Sequence, residues 1–288
     1  MLPFKVLPRY CMNTLTFTRC LLFGLLVCAV TTIRAQDKPL FPDKKLEAAV
    51  RKHVFEKRDN DQPLTEADVA NLSTIQASGY GISNLAGLEK CVALASLDLA
   101  SNKVSDVSAL QGMSRLQYLN IAGNQLESVA PLGKVIALQY IELSRNRIKD
   151  LAPLAVLTNL ASLYLSSNQV VELKPVLQLP RLATLYADQN QVQSIAGINH
   201  LRSLYSLSLS GNQVSDLAPL VGLSNIYNLF IENNQVKDLK PLVEMAQGDT
   251  SQRFAPFLNV YLKGNPLSPK AKGEQLKALK KIGTRVHR

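Results

Sequence analysis

One spacing governs what this chain can fold into. Within LASLDLASNKVSDVSALQGMSR, Leu94 to Arg115, the asparagine Asn102 recurs every 22 residues, at Asn124, Asn146, Asn168, Asn190, Asn212 and Asn234. Counting back from the marker, positions minus 8, minus 5 and minus 3 are aliphatic: Leu94, Leu97 and Leu99, then Leu116, Leu119 and Ile121. A second apolar set follows at plus 2, plus 5 and plus 8, as in Val104, Val107 and Leu110. Residues two apart on an extended strand point to one side, so minus 5 and minus 3 share a buried face. The chain must then turn, which leaves backbone groups facing inward. A short amide side chain at that corner satisfies them, where an unmet group costs about 1–3 kcal/mol. The reading is that each asparagine serves its own coil and the next, so a central Asn168 should matter more than Asn102 near the end. A period of this length with this signature predicts leucine-rich repeats stacked into a solenoid.

The 288 residues are 47% hydrophobic, enough for a large core, and the repeat argues for one elongated domain. Residues 1–35 stand apart. They carry Lys5, Arg9, Arg19 and Arg34 with no acidic residue, ahead of and around an apolar run from Leu21 to Ile33. That run is shorter than the roughly 20 residues a membrane span needs. With Ala35 at a cleavage point, the segment reads as a secretory signal peptide. An uncleaved anchor is the alternative, and Cys28 as a lipoprotein cysteine is a weaker one, because Val27 stands where a small residue is wanted. Four of the 32 basic residues fall in this leader, so a chain trimmed there carries +6 against +10 for the whole. Lys263 to Arg288 alone holds eight basic residues against Glu274. The positive charge therefore belongs to one end, not to the repeats, which argues against nucleic acid as a partner. Three of the four cysteines lie in the leader, which leaves Cys91 at a core position of the repeat as a small hydrophobe.

Residues 36–71 have another rhythm and read as a helical N-terminal cap. Asp43 caps a helix with Leu46, Ala49, Val50, His53 and Val54 on one face, and Pro63 breaks it. Thr65 with Asp68 opens a second short helix through an acidic capping box. His53 is expected as a packed histidine. The repeats are assigned to residues 72–268, of which Leu72 to Ala93 is a worn first coil with Tyr80 in place of the asparagine.

The PDKKLEAAV piece, the segment LTEADVANLSTIQASGYGISNLAGLEKC and the VSDLAPL-type returns of the 22-residue coils resemble bacterial internalin-like proteins. The resemblance runs from about Phe41 to Arg288. It implies an α/β solenoid, a curved right-handed superhelix with a parallel sheet on the concave face and short helical turns on the convex one. It also implies a secreted or surface protein that binds other macromolecules. A sorting signal, GW modules and an immunoglobulin-like extension are not found, so cell-wall anchoring and host-cell invasion are not carried over.

After Asn234 the next marker, Asn265, comes 31 residues later. The nine extra residues fall within Met245 to Phe257. They read as a longer convex turn closing the last coil, or alternatively as a binding protrusion. Phe257, Val260 and Leu262 then restore the minus 8, minus 5 and minus 3 frame. Residues 269–288 read as a basic C-terminal cap helix on Ala271, Leu276, Leu279 and Ile282.

On each strand, minus 6, minus 4 and minus 2 point away from the core. Seven of the nine tyrosines occupy the variable slots of this segment: Tyr118, Tyr140, Tyr164, Tyr186, Tyr205, Tyr227 and Tyr261, joined by Phe230. Tyr205 and Tyr227 sit at minus 7, on the rim. Glu142, Asp188 and Glu232 lie among serines and asparagines on the same face. Tyrosine beside serine and asparagine is the chemistry of adaptable recognition surfaces, although tyrosine also simply suits a sheet. Catalysis finds no support. His53, His200 and His287 are scattered, no nucleophile–base pair or metal spacing can be assembled, and Asp188 and Glu232 share a column without an enclosing cleft. The expectation is an exported, non-enzymatic, monomeric binding protein without cofactor or metal, in the periplasm, the outer envelope or outside the cell. Its concave ligand would be a protein. A docking module for a partner enzyme and a glycan binder are the alternatives.

Overall fold

The structure, a computed structural model, describes residues 38–288; the leader assigned to residues 1–35 lies outside them. Ten three-residue strands form one open, curved, wholly parallel sheet in chain order. They are β1 Thr74–Gln76, β2 Ser96–Asp98, β3 Tyr118–Asn120, β4 Tyr140–Glu142, β5 Ser162–Tyr164, β6 Thr184–Tyr186, β7 Ser206–Ser208, β8 Asn228–Phe230, β9 Asn259–Tyr261 and β10 Arg285–His287. Register is in step with the repeat: Leu97 pairs with Leu119, which pairs with Ile141, then Leu163, Leu185, Leu207 and Leu229. All of these are fully buried. Short 3-10 turns return the chain on the opposite side, several opened by Ala-Pro or Lys-Pro, where a fixed proline φ suits the first turn.

The asparagine ladder runs backward, which corrects the expectation. Asn168 Oδ1 accepts from Ile148 N–H at 2.9 Å, while its Nδ2 donates to Leu143 O and to Leu165 O. Each asparagine thus ties its own coil to the preceding one. Asn102 makes the same set with Ile82, Ala77 and Leu99, so it is not a weakened end member. This also explains Tyr80. The first coil has no repeat before it to hold, so its marker position is released to a half-buried ring under the Lys52 ammonium, 5.1 Å away. Ahead of every ladder asparagine the backbone is left-handed, at Ser101, Arg145, Ser167, Gln189 and Asn233 as well as at Gly123, Gly211 and Gly264. Here glycine relieves a strain that the other residues bear.

Before β1, helix α1 (Lys44–Arg51) buries Leu46, Ala49 and Val50. Asp43 holds both ends of a joint: Oδ1 caps Lys45 and Leu46, and Oδ2 accepts from Ser83 and Asn84 of the first coil. The helix ends at Arg51, well short of Pro63. There the Arg51 guanidinium gathers the carbonyls of Lys57, Asn60 and Gln62 and draws the chain into a loop. His53 does more than pack: Gln76 N–H, on the outer edge of β1, donates to its Nε2 at 3.0 Å. An edge strand's unpaired donor is thereby met by a side chain.

Helix α2 (Glu66–Val69) starts on Asp68, which accepts from the Thr65 N–H and hydroxyl and pairs with Lys57 Nζ at 2.7 Å. The Lys57 side chain is 15% exposed and that of Asp68 16%. The Lys57 hydrogen bond is the main cause holding the Asp68 carboxyl down, from 3.8 to about 2. Because the folded value is depressed, this contribution is present above about pH 4 and is lost as pH falls through about 2. The stability gap between the wild type and Asp68→Asn is therefore expected to be full at pH 5 and to close near pH 2. Paired urea titrations at the two pH values measure it, and a gap that stays constant contradicts the pairing.

The nine extra residues before Asn265 lengthen the convex return. Helix α3 (Lys240–Gln247) packs between the preceding 3-10 turn and helix α4 (Leu276–Ile282). Behind α3 the Asp249 carboxylate gathers the N–H groups of Arg253, Phe254 and Ala255 into a knot. The knot delivers the chain one residue late, which corrects the expected frame. Leu258 fills the core position, fully buried, and Phe257 turns outward, 51% exposed.

Residues 269–288 are more than a helix. Ala271–Gln275 makes a wide π turn, α4 follows, Gly283 reverses the chain at φ 102°, and β10 pairs with β9. Gln275 Oε1 accepts from the buried Leu239 N–H at 2.8 Å, which stitches this segment to the convex side of the last regular coil.

Candidate binding face

The strands turn their minus 6 and minus 4 slots toward one curved face, and on it the aromatic rings meet. Tyr118 stacks on Tyr140 with centroids 4.5 Å apart and planes 12° from parallel. The row then steps from the minus 6 to the minus 4 column. Tyr140 reaches Tyr164 diagonally at 5.2 Å, a distance that long side chains bridge across neighbouring strands. Tyr164 meets Tyr186 edge-on at 5.3 Å, and Tyr186 meets Phe230 at 6.2 Å across β7, which contributes Ser208 instead of a ring. Phe230 stacks on Tyr261 at 4.5 Å and Tyr261 on His287 at 4.3 Å. One continuous row of rings thus extends from β3 to β10.

His287 was missed from the sequence. With no asparagine marker after it, the terminal triplet gave only one apolar residue, Val286, between two polar ones, and it was read as tail. Tyr205 and Tyr227, by contrast, do not join the row. They stack on each other at 4.8 Å, and Tyr227 continues to Phe257 at 6.4 Å, in a separate rim stack. The Tyr227 hydroxyl donates to Arg253 O and ties that stack to the Asp249 knot.

The rings from Tyr118 to Tyr261 are half-buried, each covering part of its neighbour, and His287 at the end of the row is exposed. Burial, then the negative charge of Asp98, raises the Tyr118 hydroxyl above its ordinary range. Burial with Tyr118 and Glu142 raises that of Tyr140 further, and burial with Tyr186 and Glu142 raises that of Tyr164. These hydroxyls stay neutral donors and acceptors at physiological pH.

The carboxylates of this face differ in their surroundings. Asp98 and Glu142 accept from the backbone two residues on, at Ala100 and Ser144. Asp188 is held by the Ser166 hydroxyl at 3.0 Å, the Ser210 N–H at 2.8 Å and the Ser208 hydroxyl. The Glu232 carboxylate has no hydrogen-bond partner among the described residues. Ser206 and Ser208, expected as open surface, are only 5% exposed. Tyr186 leans over them and shares a 3.0 Å hydrogen bond with Ser206. Among the described residues no group of three histidine, cysteine or acidic side chains is placed to hold a metal ion. No helix among them is long and apolar enough to cross a membrane. Burial pushes the Cys91 thiol up to about 12, so it is an inert core residue.

A family model for leucine-rich repeats in two copies matches residues 114–156. Internalin C2 of Listeria monocytogenes has a similar structure, with 28% identity, a TM-score of 0.69, and 81% of this chain covered against 98% of that one. The chain is internalin-like in its leucine-rich repeats and its fold. A leucine-rich-repeat protein of Leptospira interrogans is also similar, at 26% identity and TM-score 0.62, over 72% of this internalin-like chain and 57% of its own length. A Listeria monocytogenes internalin, InlF, shares the fold at 22% identity and TM-score 0.58, over 89% and 92% of the two chains. No curated protein sequence matches this internalin-like chain. Leucine-rich-repeat proteins commonly mediate protein–protein interaction.

Proposed function

We propose that this is an exported, non-enzymatic binding protein that docks a protein partner along the ring row of its concave face. The continuous contact of rings from Tyr118 to His287 carries the reading. Mutual stacking fixes each side chain before a partner arrives, so little rotamer entropy remains to be lost on docking. Tyrosine presents a large apolar body with a polar tip, the composition of interface hot spots. Ten strands at about 4.8 Å spacing give roughly 43 Å of sheet, long enough for an interface of about 800 Å² per partner. Export rests on the basic and apolar composition of residues 1–35.

Two parallel experiments test the class of ligand. The chain starting at Gln36 is offered to a glycan array and, immobilised, to a proteome from its surroundings. Retention of a defined protein with no array signal is the expected result. Saturable glycan binding without a protein partner would overturn it.

A further inference from the structure

We propose that the hollow beside the ring row at β7, the one strand from β3 to β10 that gives the row no ring, is a pocket for an arginine side chain of the docked protein. This rests on the concave face being the docking surface and names the chemistry that one part of it selects. Where its neighbours supply Tyr186 and Phe230, β7 supplies Ser208, and a hollow of ≈ 390 Å³ opens there between Asp188, Ser208, Ser210, Phe230 and Glu232. Asp188, Ser210 and Glu232 occupy the same repeat position on three consecutive coils. They span about 10 Å at strand spacing.

Three observations give the guest its character. First, none of the ion pairs among the described residues involves Asp98, Glu142, Asp188 or Glu232, and Lys263, which follows Glu232 in the same column, makes no ion pair with it. Second, the two carboxylates of the hollow are unlike. Asp188 is clamped by three serines and fixed in place, whereas the Glu232 side chain is uncommitted and can close on a ligand. Third, the Ser210 hydroxyl between them is the one buried side-chain polar atom that finds no partner among the described residues. Buried polar groups are ordinarily satisfied, and Ser210 lines the hollow.

A guanidinium answers all three. Its fork donates two parallel hydrogen bonds to one carboxylate, leaves further N–H groups for the Ser210 oxygen, and lies against the Phe230 ring. Lysine is a point charge and lacks the planar face. An anion is repelled, a sugar leaves both carboxylates uncompensated, and a metal ion finds too few ligands.

The probe is N-acetyl-arginine methylamide, titrated into the isotope-labelled chain from Gln36 onward, with the neutral citrulline analogue as control. Saturable shifts centred on the Ser210, Phe230, Glu232 and Asn233 amides are expected, at least about tenfold weaker in affinity for citrulline and for Glu232→Gln. Circular dichroism shows whether that half-buried, isosteric variant folds. Equal responses to the two probes, shifts that Glu232→Gln leaves unchanged, or no saturation would each overturn the pocket. Because the probe needs no protein partner, it can fail while the ring row still docks one. The two readings are thereby separable.

Discussion

Asn102→Ala is expected to destabilise the protein by about 3 kcal/mol, at least as much as Asn168→Ala at about 2 kcal/mol. In the middle of the ladder most partners are shared. Leu143 O accepts from both Asn146 and Asn168, and Leu165 O from both Asn168 and Asn190, so removing Asn168 orphans chiefly the Ile148 N–H. At the start the sharing ends. Ala77 O depends on Asn102 alone, because Tyr80 offers no amide, so its loss strands both Ala77 O and the Ile82 N–H. The order is the reverse of what the repeat pattern alone suggests. Urea denaturation midpoints of the two variants check it, and an Asn168 variant clearly weaker than the Asn102 one would contradict the backward ladder.

Deleting residues 269–288 is expected to cause aggregation at every ionic strength. The segment buries Ala271, Leu276 and Leu279 and supplies the Gln275 acceptor for the Leu239 N–H. Its removal uncovers the apolar flank of α3 and the edge of β9 together, and a solenoid end without a polar cover is insoluble. Light scattering across a salt series measures the outcome. A soluble, cooperatively unfolding product would mean that the last coil closes by itself and that the lysines of α4 serve another purpose.

Much of this architecture is legible in the residues because it is periodic. Leu97, Leu119 and Ile141 repeat one environment, and a strand of three residues leaves a single way to face the core. What escaped the pattern lies where a coil lacks a neighbour or a marker. The direction of the ladder is hidden in the middle, since each asparagine there touches both its own carbonyl and one next door; Tyr80 reveals it only once its missing role is seen. Phe257 and Leu258 exchange places because the Asp249 knot, a local hydrogen-bond arrangement, shifts the chain by one residue. His287 joins the rings because Gly283 turns the helix end back toward the sheet. The ring row itself was readable as columns, but not the step at Tyr140–Tyr164 that makes two columns one row, nor the leaning of Tyr186 that buries Ser206 and Ser208.

The reading of the concave face is tested most directly by two double variants in one binding assay against the captured partner. Tyr164→Ala with Tyr186→Ala removes the centre of the row, while Lys149→Ala with Lys174→Ala alters exposed residues of the convex side. Hot-spot truncations cost about 2 kcal/mol or more each, so the tyrosine pair is expected to weaken binding at least about a hundredfold, with the fold retained by circular dichroism. The lysine pair should leave affinity within a few fold. Loss of binding in the lysine pair, with the tyrosine pair unaffected, would place the ligand on the opposite side and contradict the account.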